Sequence, residues 1–168
     1  MHDNRLQVFH EVRDIPYRIP LRATEIDDCC TGKHKRLKAL LERAGLTVRW
    51  RVCTFRWSDI SLPSEISNIP HADDSSHAYL EVALNGSWIK VDATWDVGLS
   101  DFFTVATWDG YSDTVVAVPC LDTYSPEESS SIIANETTEV VEKDLKINGD
   151  FYGALNLWIE RVRANYIS

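Results

Sequence analysis

An excess of basic residues is missing from this chain. Its 17 Lys and Arg face 26 Asp and Glu, which leaves a net charge of −9. Neutralising nucleic-acid phosphates needs Lys and Arg in excess on one face, so nucleic-acid binding is not expected. Also missing is any apolar run near the roughly 18 residues that a membrane span requires. The start, Met1-His2-Asp3-Asn4-Arg5, is polar, and no signal peptide is legible in it. No CxxC or Cys/His spacing suggests zinc, and no segment has the pattern of a dedicated calcium loop. Four cysteines, at 29, 30, 53 and 120, are few for a domain of this size, which does not need disulfide staples. They are read as reduced, and the protein as cytoplasmic. Internal repeats and linkers are absent too, which makes residues 1–168 a single domain.

What is present is a packed core in prospect: 44% hydrophobic residues, with six Trp and six Tyr. Residues 5–13 place Val8, Phe9 and Val12 at amphipathic helical spacing. A second helix is expected behind Asp27-Asp28 as N-cap, running through Leu37, Leu40, Leu41 and Ala44 to a stop at Gly45. Gly32 inside it costs about 1 kcal/mol relative to Ala, a cost with a purpose if something approaches the backbone there. At about 100° per residue from Leu37, the apolar face centres near about −10°, Cys30 lies near about +20° and Cys29 near about −80°. Cys30 therefore points inward and Cys29 lies beyond the edge. A thiol in the first helical turn is favoured as thiolate by the macrodipole, whereas Asp27 and Asp28 oppose it.

Thr47 to Trp57 alternates as a strand, with Cys53 in a structural place, and residues 58–76 read as a turn-rich loop. The hairpin that follows is the strongest local signal. His77–Leu84 and Ser87–Thr94 flank Asn85-Gly86, a preferred two-residue turn whose paired residue numbers sum to 171. His77 then falls opposite Thr94, and Asp92 is its diagonal neighbour on the same face, about 7 Å away at the backbone. Asp92 can hold one ring nitrogen of His77 and leave the other for a thiol. Further short strands are expected at 102–105, 114–118 and 138–141, with a solvated loop over 124–131 and Cys120 structural. Phe151, Ala154, Leu155, Trp158, Ile159 and Val162 mark an amphipathic helix over 150–166.

Taken together, Cys30-Thr31-Gly32-Lys33 with Leu40-Leu41-Glu42-Arg43-Ala44-Gly45, His77-Ala78-Tyr79-Leu80-Glu81-Val82, and Trp88-Ile89-Lys90-Val91-Asp92-Ala93-Thr94-Trp95 resemble the transglutaminase-like superfamily of papain-related cysteine enzymes. The likeness covers residues 24–97. It implies an α+β fold in which a nucleophile helix packs against an antiparallel sheet, with the C-terminal amphipathic helix added. It also implies a catalytic set of Cys30 as nucleophile, His77 as base and acid, and Asp92 as orienting carboxylate. Tyr17 and the backbone N–H of Cys30 are candidates for oxyanion stabilisation. The chemistry implied is acyl transfer at an amide bond of a peptide or protein, through a thioester; the likeness does not choose between hydrolysis and transfer to an amine, and hydrolysis is expected of a small standalone domain. It calls for no metal and no cofactor. The rival reading keeps the fold and cleft as a peptide- or protein-binding module without catalysis, with Cys29 beside Cys30 as a source of interference.

Overall fold

The computed structural model describes residues 4–166. Helix α1, Asn4–Arg13, buries Val8, Phe9 and Val12, as the spacing requires. Helix α2, Cys30–Arg43, buries Leu37 and Leu41 against α1 and the sheet. It ends in a Schellman motif: Gly45 has φ 85°, its N–H donates to Glu42 O, and Leu46 N–H donates to Leu41 O.

The N-terminus of α2 departs from the expected cap. Cys29 is the N-cap and its side chain caps nothing. Asp27 instead turns back over the first helical turn, accepting the Cys29 N–H on Oδ1 at 2.9 Å. A Cβ at position 32 would lie 1.9 Å from the Asp27 carbonyl oxygen, so this close pass requires Gly32. Asp28 is drawn sideways into an ion pair with Arg36.

Strands β1 (Val48–Arg56), β2 (Asp74–Leu84) and β3 (Ser87–Val91) form one antiparallel sheet in the order β1-β2-β3, with the one-turn helix α3 (Ser64–Ser67) between β1 and β2. The hairpin register is the one the turn dictates, with Leu80 opposite Val91, Glu81 opposite Lys90 and Val82 opposite Ile89. Asn85 and Gly86 both have positive φ, 49° and 81°, which matches the right-handed strand twist. The ladder stops at Val91, short of a His77–Thr94 pair. Beyond it the chain's N–H groups turn to side chains: Asp92 N–H to Thr114 Oγ1, Ala93 N–H to His34 Nε2, and Thr94 N–H to Asp92 Oδ1.

Four expectations are corrected in the second half. Residues 102–105 and 114–118 are not strands but loop. Phe102 and Phe103 N–H close a turn on Leu99 O, while Thr114 N–H donates to Lys90 O on the β3 edge and Ala117 N–H to Asp92 Oδ2. The stretch read as a solvated loop contains helix α4, Pro126–Ala134, started by a Ser125/Glu128 capping box and anchored where buried Ser129 accepts the Val52 N–H. Helix α5 runs from Thr138 to Tyr166, so residues 138–141 are helical and not a strand. Its polar first half is held by pairs such as Lys143–Glu139, while Phe151, Leu155 and Ile159 pack on the face of the sheet opposite α2. Finally, Cys53 and Cys120 are not reduced: they form a disulfide. Residues 121–123 lie along β1, with Thr54 N–H donating to Asp122 O and Leu121 N–H to Thr54 O, and bring the two Cα atoms to 5.6 Å. Closing a loop of 67 residues contributes about 4 kcal/mol in the chain-entropy account. This bond takes away the ground for expecting a reducing, cytoplasmic compartment. Among the described residues no helix is long and apolar enough to cross a membrane.

The result is an α+β arrangement of five helices and a three-stranded antiparallel sheet among the described residues. α2, backed by α1, packs on one sheet face, and α5 gathers with Cys53, Phe55 and Tyr79 of the other face into a second core.

Candidate active site

Cys30 is the first residue of α2, His77 lies inside β2, and Asp92 follows β3 directly. The structure brings all three together. His77 Nε2 donates to Asp92 Oδ2 at 2.7 Å, which leaves Nδ1 as the ring nitrogen for the neighbouring Cys30 sulfur, whose proximity helps to raise His77. Asp92 is 1% exposed and its carboxylate is saturated on the protein side: Oδ2 also accepts the Ala117 N–H at 2.8 Å, and Oδ1 accepts the Thr94 N–H at 3.0 Å. The loop over 114–117, read from its residues as a strand, is therefore the cradle of the carboxylate.

The electrostatics follow from these bonds. Asp92 is held well below the usual carboxylate range, because the His77 charge and hydrogen bond outweigh the burial that opposes ionisation. Burial alone would push His77 down, but Asp92, helped by the Cys30 sulfur, raises it to about 10. The Cys30 thiol is lowered well below its ordinary range, first by the hydrogen bond from Cys29 and then by His77 and the Ala78 N–H, against the cost of burial. Cys29 moves the opposite way, because it donates that bond and is removed from solvent. These directions favour a Cys30 thiolate beside a His77 imidazolium, with the proton retained on Cys29.

Two residues of α2 complete the support. Lys33 is fully buried, and its three N–H groups donate to the carbonyls of Arg13 (2.7 Å), Ile15 (2.9 Å) and Thr94 (2.6 Å). Burial lowers it to about 8 against the pull of nearby Asp96 and Asp92. It ties the chain after α1 and the chain after Asp92 to the nucleophile helix. His34, one turn after Cys30 and also fully buried, bonds Cys30 O through Nδ1 at 2.7 Å and accepts the Ala93 N–H on Nε2 at 2.9 Å. Only the neutral tautomer with the proton on Nδ1 satisfies both bonds. Sequence reasoning missed His34. The helical phase that turns Cys30 inward also turns residue 34 inward, about 40° away, and that was the available signal.

The thiols open into a cleft of about 450 Å³. One wall is aromatic, with Tyr17, Trp57, Trp95 and Tyr152, and the other is the start of α5, with Val140 and Val141. Tyr17 does reach this cleft. Burial first, and then the neighbouring Cys29 and Cys30 side chains, raise its phenol well above its ordinary range. Its backbone is fixed by Asp96, whose Oδ2 accepts the Tyr17 N–H at 2.8 Å while Arg163 of α5 clamps the same carboxylate at 2.8 and 3.0 Å. Lys35 and Glu136 pair across the cleft mouth at 3.3 Å.

No family model, no curated protein and no solved structure matches the chain.

Proposed function

We propose that the protein is a cysteine-dependent acyl-transfer enzyme of transglutaminase-like, papain-related type, acting on an amide bond of a peptide or protein. The observation that carries this is His77 held on one side by a buried carboxylate, with the Cys30 sulfur as its neighbour at the wall of an open cleft. The Cys30 thiolate attacks the amide carbonyl and His77 delivers its proton to the departing amine. That leaves a thioester on Cys30 and a neutral His77. His77, still oriented by Asp92, then takes a proton from water, which hydrolyses the thioester; an amine in place of water would give transfer. The Cys30 N–H, free of an intrahelical partner at the first helical position, and the protonated Tyr17 hydroxyl are the groups proposed for the oxyanion. Aromatic walls suit apolar or aromatic side chains of a peptide.

Alkylation by iodoacetamide across pH tests the reading. Cys30 should react well below pH 8.5, lose that reactivity in His77→Ala and keep it in Cys29→Ala. A thioester formed on Cys30 with activated peptide esters should then be visible by mass. An ordinary thiol pKa at both free cysteines, with no thioester, would favour a binding module that keeps only the cleft.

A further inference from the structure

Cys29 has no part in the reaction above, yet it is held against the nucleophile. Cys29 and Cys30 are the free cysteines among the described residues. They are consecutive residues that both line the cleft, and each thiol shifts the titration of the other. Cys29 has extended backbone, φ −86° and ψ −167°, ahead of the helical Cys30, and its side chain is not used as a cap. Its sulfur is therefore free to move without breaking the helix start. Cys53 and Cys120 are already bonded to each other and are not available as partners.

We infer that Cys29 and Cys30 form a site of reversible oxidative modification, in which a hydroperoxide oxidises Cys30 and Cys29 closes a vicinal disulfide on it. The inference rests on the proposed thiolate of Cys30 but not on which acyl group the protein handles. In the first step the Cys30 sulfur attacks the terminal oxygen of the hydroperoxide. The O–O bond breaks, an S–O bond forms, and sulfur is oxidised by two electrons to sulfenic acid. The departing alkoxide or hydroxide takes the proton of the His77 imidazolium and leaves as alcohol or water. In the second step the Cys29 sulfur attacks the Cys30 sulfur. The S–O bond breaks, the S–S bond forms, and the hydroxyl leaves with the Cys29 proton as water. Two thiols and one hydroperoxide thus become one disulfide, one alcohol and one water.

Consecutive Cα atoms lie about 3.8 Å apart, closer than the span of about 4.4–6.8 Å usual for a disulfide. The closed ring is strained on that account, and strained disulfides are readily reduced. Its role fits that instability: it blocks the nucleophile while oxidant is present, stops Cys30 short of sulfinic acid, and is reopened by a dithiol reductant.

The test treats the whole protein with hydrogen peroxide, then iodoacetamide, and follows the tryptic peptide 23–33, which contains Cys29 and Cys30 and no other cysteine. Alkylation of the untreated protein at pH 6.5 is run first. Failure of Cys30 to react there defeats the proposed triad, and with it the basis for the first oxidation step. With Cys30 reactive, the expected result is a peroxide-treated peptide lighter by two hydrogens, with both thiols lost to alkylation and both regained with dithiothreitol. In Cys29→Ala and Cys29→Ser the same dose should drive Cys30 to sulfinic and sulfonic acid, a gain of two and three oxygens that dithiothreitol does not reverse. A wild-type peptide in which Cys30 carries those oxygens while Cys29 remains alkylatable would overturn the inference and leave the triad standing.

Discussion

On either side of Asp92 lie two buried histidines whose ring centres are 6.4 Å apart, and they are in opposite states. His77 is 2% exposed and His34 is fully buried, so desolvation pushes both toward neutrality. Burial does hold His34 down. His77 goes up to about 10. The difference lies in what each Nε2 meets. That of His77 meets a carboxylate oxygen at 2.7 Å, whereas that of His34 meets the Ala93 N–H, a donor, with the nearer Asp92 oxygen 3.7 Å away. In one small volume, hydrogen-bond polarity and not burial decides which ring is drawn toward the charged form and which toward the neutral one.

The largest expected effect comes from removing the charged ring. In His77→Ala, Cys30 reverts toward a free thiol with a pKa of about 8.5, and alkylation at pH 6.5 should slow about a hundredfold. Asp92→Asn keeps the shape but removes the charge that raises His77. The alkylation profile should move to higher pH, and the rate at pH 6.5 should fall about tenfold for every pH unit that the profile moves. His34→Gln should act mainly on stability. Leaving the Ala93 N–H or the Cys30 carbonyl unpaired costs about 1–3 kcal/mol, read from denaturant midpoints, while the alkylation profile stays near wild type. The same variant should also change the slope of stability with pH. Below about pH 6.5 the unfolded chain protonates His34 while the folded protein keeps it neutral, so stability falls as pH falls until the folded-state pKa is passed. That part of the acid loss should disappear in His34→Gln. Cys29→Ala withdraws the S–H donor that lowers Cys30 first; the Cys30 profile should move upward but stay below that of His77→Ala, because the imidazolium remains.

The parts of this arrangement that were legible in the sequence are those set by short-range rules. Asn85-Gly86 fixes the hairpin register and so places His77 and Asp92 on one face, and the helical phase of Leu37, Leu40 and Leu41 turns Cys30 inward. Gly32 signals a close approach, although the approaching group, the Asp27 carbonyl, is supplied by a chain reversal that no spacing encodes. The illegible parts depend on long-range placement. Residues 114–118 look like a strand because Val-rich runs fit a ladder, but their N–H groups go to Lys90 and Asp92 individually. The apolar stripe marks a helix only over 150–166, yet the ion pairs and polar helix formers before it carry the helix back to Thr138. The Ser125/Glu128 capping box is visible as Ser-x-x-Glu, but the Ser-rich run around it favours a loop. The Cys53–Cys120 pairing needed the knowledge that residues 121–123 lie along β1.

Long-range proton–nitrogen spectra of the protein with labelled histidine, followed from pH 5 to pH 11, test the central claim most directly. His77 should keep both ring protons until about pH 10, while His34 should stay neutral with its proton on Nδ1 through pH 7. A His77 ring that loses its proton near pH 6.5 would contradict the ion pair on which the proposed chemistry stands.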